Sequence, residues 1–231
     1  MAETFLTALS LLGQMDSQVV AIVLLSFKVG ASAAAIATLI ALPLGAWLAV
    51  ASFPGRDALT VFLNAMMGLP SVVVGVLVYL LLSRSGPLGS FGLLYSPPAM
   101  ILAQTILIVP VMAALTRQIV EDACREYAVE LRSMRFRLVD SVVTLLHDCR
   151  YSLVVTLLAG LGRAMSEVGA VMIVGGNIEG YTRVMTTAIA LETAKGDLAL
   201  SVALGIVLLT VVLLLNSAAY LLRQWAMRRY G

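Results

Sequence analysis

Arg163 and Glu167 are the one pair of opposite charges set deep inside an apolar run of this 231-residue chain. Four residues apart on a helix, they share a face and can pair. Charge at membrane depth is costly and faces a bundle interior or a wet cavity, so two readings stand side by side. Either the pair lines a pathway that an anion meets, Arg163 attracting it while Glu167 stops it from being held too tightly, or it is a static staple between helices. A second patch is Gly175-Gly176-Asn177-Ile178-Glu179-Gly180-Tyr181-Thr182-Arg183, followed by Thr186 and Thr187. Backbone N–H groups without side-chain obstruction, beside hydroxyls, suit an anion. A gate hinge or a docking surface for an external partner suits the same residues.

The third feature is a charged, helix-prone stretch over 117–151 that holds six of the fifteen Lys and Arg residues. Glu126, Ala128, Leu131, Phe136 and Leu138 can form a short helix–turn–helix. A solvated linker has no need of Leu131, Met134, Phe136, Leu138 and Val139 interleaved among charges, whereas an amphipathic surface for a partner's groove does. Several chemistries are excluded. No Gly-x-x-x-x-Gly-Lys-Ser/Thr motif is present to cradle nucleotide phosphates. The single histidine, His147, rules out a His-rich metal site, and no Ser–His–Asp set or nucleophile elbow occurs. The chain is therefore expected to bind no cofactor or metal and to be no enzyme by itself, and its net charge of +2 gives no sign of a nucleic-acid partner.

The elements that must position these residues are membrane helices. The chain is 61% hydrophobic and 12% charged, too apolar for a soluble surface, which needs about a quarter charged residues. Runs of the ~20 apolar residues that span hydrocarbon recur, and they predict five spans at approximately 19–50, 60–84, 97–120, 152–175 and 198–222, with a cytoplasmic segment at 121–150, in one domain over 1–231. One set of loops holds Arg56, Arg117, Arg125, Arg132, Arg135, Arg137, Arg150, Arg223, Arg228 and Arg229; the other holds Arg84, Arg183 and Lys195. The positive-inside rule then places 121–150 and the C-terminus in the cytoplasm and the N-terminus outside, and keeps Cys124 and Cys149 reduced, as packing residues. No cleavable signal peptide and no C-terminal regulatory domain are expected. Ala33, Ala37, Ala41 and Gly45 make a small-residue stripe for close helix packing. Pro43, Pro70 and Pro110 predict kinks within the first three spans.

Glu126-Tyr127-Ala128 followed by Leu131 resembles the coupling motif of ABC importer permeases of the type I, methionine-importer-like fold. Gly68-Leu69-Pro70-Ser71-Val72-Val73-Val74-Gly75, Ser85-Gly86-Pro87-Leu88-Gly89, and Gly162-Arg163-Ala164-Met165-Ser166-Glu167-Val168-Gly169-Ala170 leading into Gly176–Arg183 narrow the likeness to the molybdate, sulfate and tungstate branch. The stretch running on through Thr186-Thr187-Ala188-Ile189-Ala190-Leu191-Glu192 is most similar to tungstate permeases, and the resemblance covers nearly the whole chain beyond the first ~20 residues. Tyr127 and Arg132 depart from the motif's alanine and glycine, and the usual Leu-Pro is missing around Thr144 and Leu145.

The resemblance implies an all-α, five-helix permease that acts as a homodimer within membrane lipid, with an ATP-binding subunit that holds ATP and Mg below and a substrate-binding protein outside. On that reading Glu126, Ala128, Leu131, Arg132, Met134 and Phe136 couple to the ATPase. Arg163, Glu167, Gly176, Asn177, Thr182, Arg183 and Thr186 form pathway or gate. The substrate is expected to be tungstate, with molybdate or sulfate as alternatives. A channel or scaffold that recruits a cytoplasmic regulator is the reading from another class.

Overall fold

The structure, a computed structural model, describes Thr7, Ser10 and residues 17–127 and 138–230. Among them no strand occurs; the regular structure is helical. Helix α1 (Ser17–Val50) runs unbroken through Pro43. Helices α2 (Arg56–Met67) and α3 (Ser71–Leu82) follow, then a short 3-10 turn (Gly89–Phe91) and α4 (Pro97–Glu126), which runs unbroken through Pro110. The remainder is α5 (Leu138–Asp148), α6 (Arg150–Met165), α7 (Gly169–Gly175), α8 (Met185–Lys195) and α9 (Leu198–Tyr230).

Three of these helices, α1, α4 and α9, are long and apolar enough to cross a membrane. Two bent pairs bring the number of candidate spans to five if each pair is one span: α2 with α3, bent by 101°, and α5 with α6, bent by 77°. The run read from sequence as one span over 60–84 is thus two helices of 12 residues each, about 18 Å apiece and too short to cross singly. Local chemistry sets the break. Pro70 lacks an N–H and disfavours helical backbone at Leu69, and it stands extended (ψ 125°) as N-cap of α3, its carbonyl accepting from the N–H groups of Val73 and Val74. The expected kink at Pro70 is therefore a sharp break, whereas the helices that hold Pro43 and Pro110 continue past them.

The run over 152–175 is also divided. Helix α6 stops at Met165 and α7 begins at Gly169. No proline stands there. Instead the Glu167 carboxylate accepts from the Val168 N–H at 3.1 Å, a side chain competing with the helix ladder for a backbone donor.

The chain divides into two compact units, and α1, α4 and α9 each contribute part of their length to both. The first comprises Met1–Ala33, Pro70–Gln104 and Gly162–Leu214. In it α3 and α7 approach backbone to backbone: a Cβ built on Gly75 would lie 2.8 Å from the Ala170 Cα, and one on Gly169 would meet Val72 and Ser71. Two of the stretches that carry the family resemblance are thus packed against each other.

The second unit comprises Ala34–Leu69, Thr105–Leu161 and Leu215–Gly231. Ala37 and Ala41 are fully buried, and Gly45 lets α1 approach the Ala113 carbonyl and Thr116 of α4 so closely that a Cβ would sit 2.5 Å from that oxygen. The small-residue stripe is a packing seam, as its spacing implies. Ala46, Val120, Ala123 and Leu145 form a core at the end of these helices, flanked by Val142, Leu146 and both cysteines, which roots α5 on α1 and α4.

Candidate functional site

Four buried polar residues of the first unit, Ser26, Gln104, Glu167 and Thr186, gather around the break between α6 and α7. Arg163, in the last turn of α6, is 46% exposed, while Glu167 is 7% exposed; Nη2 and Oε2 are 3.9 Å apart. Because the helix has ended, the pair does not share a continuous helical face, and the contact is loose. Glu167 is held instead by its backbone. Its carbonyl accepts from the Thr186 hydroxyl at 2.7 Å, and Thr186 is the second residue of α8. The Gln104 side chain donates to the Ala164 carbonyl at 3.1 Å, leaving its own Oε1 buried without a partner. Ser26, Gln104, Glu167 and Thr186 line one small cavity of about 10 Å³, about the space of a single water.

Helix α8 starts in this network. Ser26 accepts from the Met185 N–H at 2.8 Å while donating to the Ile22 carbonyl. The Thr187 hydroxyl, at the third helical position, accepts from the Val184 N–H at 3.1 Å. Both bonds satisfy donors that a helix N-terminus leaves orphaned.

The loop from Gly176 to Arg183 is tightly built. Gly176 caps α7 with φ +68°, and a Cβ there would fall 2.8 Å from the Tyr95 ring, so both backbone and space require glycine. Tyr95 is itself left-handed (φ 61°), its N–H bonded to the Val174 carbonyl at 2.9 Å. A hydrogen bond with the Tyr79 side chain, then burial, raises the Tyr95 phenol above its ordinary range. Asn177 donates from Nδ2 to the Thr187 carbonyl at 3.3 Å. Thr182, fully buried, donates to the Gly175 carbonyl at 2.6 Å and accepts from the Ile178 N–H at 2.9 Å. The N–H groups of Tyr181, Thr182 and Arg183 all turn to the Ile178 carbonyl. Those donors are spent inside the loop, so the backbone surface expected to greet an anion is largely closed. The cation that remains is Arg183, whose side chain is 9% exposed and lies between Glu179 at 3.4 Å and the buried Glu192 at 3.7 Å.

In the second unit, Glu126 is the last residue of α4 and is exposed. Ala128, Leu131, Arg132, Met134 and Phe136 lie outside the described residues. Leu138, Val139 and Val143 of α5 are exposed while Ser141 and Leu145 of the same helix are buried, so α5 keeps an apolar face uncovered by the described residues. A charge cluster that sequence reading did not assemble lies in the same unit. Arg56 donates from Nε to the Leu48 carbonyl at 2.7 Å, an oxygen near the end of α1, and pairs with Glu121, which also pairs with Arg117 at 2.7 Å. Arg117 and Glu121 are four apart on a helix, a readable signal; Arg56 is 65 residues away from its partner and no local spacing could find it. Ser26 and Glu192 were likewise missed as network members, since their partners come from distant segments.

No protein-family model matches the chain. Among curated proteins, it is 38% identical over 223 residues to the tungstate uptake system permease protein TupB of Peptoclostridium acidaminophilum, covering 96% of this chain and 98% of that protein. A probable anion ABC transporter permease protein of Haloferax volcanii is 39% identical over 217 residues, covering 92% and 94%. The molybdenum transport system permease protein ModB of Escherichia coli K12 is 34% identical over 191 residues, covering 76% and 81%. The likeness runs through the polar loop, the broken helices and the long spans alike, and the chain belongs to the permease family of ABC transporters, a multi-pass membrane protein of transport.

Proposed function

We propose that this chain is the transmembrane permease subunit of an ATP-driven oxyanion importer, with tungstate as substrate. The observation that carries the proposal is the likeness to a tungstate uptake permease over almost the full length of both chains. The buried polar network around Glu167, Thr186 and Arg183 supports it, since polar groups at membrane depth mark substrate pathways. The pathway holds one loosely paired cation, Arg163, and no dense ligand cluster among the described residues. That suits transit, because an ion bound tightly within the pathway could not leave. Selectivity then rests with an external substrate-binding protein.

The partners of this reading are an ATP-binding subunit, the external binding protein and a second copy of this chain in the lipid bilayer. The permease binds no cofactor; ATP and Mg stay with the ATP-binding subunit. The N-terminus is outside and the C-terminus cytoplasmic, on the arginine bias of the loops. The uncovered face of α5, with Leu138, Val139 and Val143, supports an ATPase contact beside Glu126 and the segment 128–137. Exposed Leu209, Leu213 and Leu214 on α9 suit lipid or the second copy. ATP closure would drive the coupling segment, and two permease copies would rock between two discrete arrangements.

Reconstitution in liposomes with the ATPase and the binding protein tests this. Tungstate-loaded binding protein is expected to stimulate hydrolysis and uptake, above molybdate and sulfate. Uptake without ATP, or equal indifference to all three anions, would overturn the reading. Val143→Asp, at an exposed position of α5, is expected to leave the fold intact and to uncouple ATPase from the membrane.

A further inference from the structure

In this structure a carboxylate of the protein already occupies an anion-binding position. Glu179 is 66% exposed, yet both its oxygens are held: Oε1 accepts from Gln18 Nε2 at 3.0 Å, and Oε2 lies 3.4 Å from Arg183 Nη1. The same residues, with Ala21, Ile22, Leu25 and Gly180, line a cavity of about 240 Å³ within the first unit. Arg183 is over nine-tenths buried, and its Nε is buried with no hydrogen-bond partner. A guanidinium has five N–H donors in a fixed fork, and the one that lines this cavity pairs with two carboxylates, of which Glu179 is on a displaceable side chain.

Charge settles what could replace that side chain. Arg183 does not depend on Glu179 for its counter-charge, because the buried Glu192 lies 3.7 Å from the same nitrogen, and Lys195 pairs with Glu192 at 3.0 Å. With Glu179 swung into solvent, Arg183 is the cation that lines the cavity, and the cluster of Arg183, Lys195 and Glu192 carries one net positive charge. Arg183 is never stranded unpaired in the process, which would be strongly unfavourable for a buried cation. Glu179 adjoins Gly180, at φ +71° with open space around it, so its release needs no repacking.

We propose that Gln18 and Arg183 form the oxyanion-receiving site at the outer mouth of the pathway, and that Glu179 plugs it as a tethered substitute for the substrate until an arriving oxyanion displaces it. This rests on the function proposed above, including the outward placement of the loop. A tethered carboxylate competes at an effective concentration in the millimolar range, so free oxyanion at micromolar levels is excluded while anion delivered by a docked binding protein is admitted. The device would keep the mouth occupied between turnovers without building a tight site.

The test uses the complete transporter of permease, ATPase and binding protein, in detergent for binding and in liposomes for uptake, with tungstate as probe. Glu179→Gln keeps the length and the hydrogen bond to Gln18 but removes the charge. Tungstate is expected to bind the Glu179→Gln complex, in the absence of binding protein, at least tenfold more tightly than it binds wild type. Adding Gln18→Ala to Glu179→Gln should reverse several-fold of that gain. Unchanged tungstate binding in Glu179→Gln, or a gain insensitive to Gln18→Ala, while wild type still imports tungstate, overturns the plug and leaves the function standing. Failure of wild type itself to import any of the three oxyanions overturns both.

Discussion

The two compact units differ in what fills them. All the buried charged side chains among the described residues, Glu167, Arg183 and Glu192, belong to the first. That unit contains the short helices α3, α7 and α8 and the break between α6 and α7. The second is built on small residues and an apolar core, with Arg56, Arg117 and Glu121 paired in a partly exposed cluster. The contrast has a physical cause. Irregular backbone at membrane depth leaves N–H and carbonyl groups that must find partners, and it is tolerated where protein or water supplies them. Thr182, Thr186, Thr187 and Ser26 are those partners. The second unit has breaks too, the 77° bend between α5 and α6 and the one at the 68–70 boundary, yet among its described residues it buries no charge. The difference fits a division between handling an ion and passing on motion.

Removing one charge from the first unit should break this contrast most severely. Glu192→Ala leaves Arg183 facing a cavity with only the exposed Glu179, and breaking a buried pair in this way costs about 3–5 kcal/mol. Thermal unfolding of the purified protein should show a large loss. Replacing both partners, Arg183→Met with Glu192→Met, should restore most of the stability but not transport. Equal stability of Glu192→Ala and wild type would mean that the pair is not buried as described.

Next come the glycine seams, which compare the units directly. Gly75→Val drives a side chain into Ala170 and Gly45→Val drives one into the Ala113 carbonyl, and in both cases the obstacle is backbone that cannot rotate away. Overpacking of this kind costs about 1–3 kcal/mol. Both should lower the unfolding temperature. Gly75→Val should also abolish uptake if the loop from Gly176 to Arg183, into which α7 leads directly, is the gate that its sequence suggests. If Gly75→Val destabilises the protein yet transports normally per folded molecule, the α3–α7 contact is a scaffold and not part of the gate.

These examples show what was readable from sequence and what was not. The membrane class, the long helices α1, α4 and α9, and the packing role of Gly45 were readable because apolar length and four-residue spacing are local quantities. Gly68-Leu69-Pro70 was visible as punctuation, but whether proline bends a helix or ends it depends on whether neighbours satisfy the freed carbonyl, and sequence does not tell Pro70 from Pro43 or Pro110. The break at Ser166–Val168 carried no proline signal at all; it is set by Glu167 bonding its neighbour's N–H and by Gly169 seating against Val72 and Ser71. Arg163 and Glu167 were therefore assigned to one helix face that the structure does not provide. Thr186 and Arg183 were picked out as polar residues in an apolar setting, yet their partners Glu167 and Glu192 depend on tertiary placement.

A smaller effect is expected from Thr186→Val. It removes the hydroxyl that donates to the Glu167 carbonyl while keeping the shape of the side chain. The net loss for one such bond is about 1 kcal/mol. Transport should suffer more than stability, because the bond holds α8 to the break next to Arg163. A variant with wild-type uptake would place this contact outside the moving parts.

The smallest effect on stability, and the most informative one about the second unit, belongs to Arg56. Its guanidinium is about a third exposed, so its ion pair with Glu121 is screened and contributes less than about 1 kcal/mol. Yet the same side chain donates to the Leu48 carbonyl and approaches that of Ala49, in the last turn of α1, where helix carbonyls lack internal partners. Arg56 thereby ties the end of α1 to α4 through Glu121. Arg56→Lys keeps the charge but loses the planar fork that reaches carbonyl and carboxylate together. The variant is expected to unfold within a few degrees of wild type while uptake per ATP hydrolysed falls several-fold. Should both quantities stay unchanged, the cluster is surface charge alone, and the end of α1 takes no part in passing motion from the ATPase.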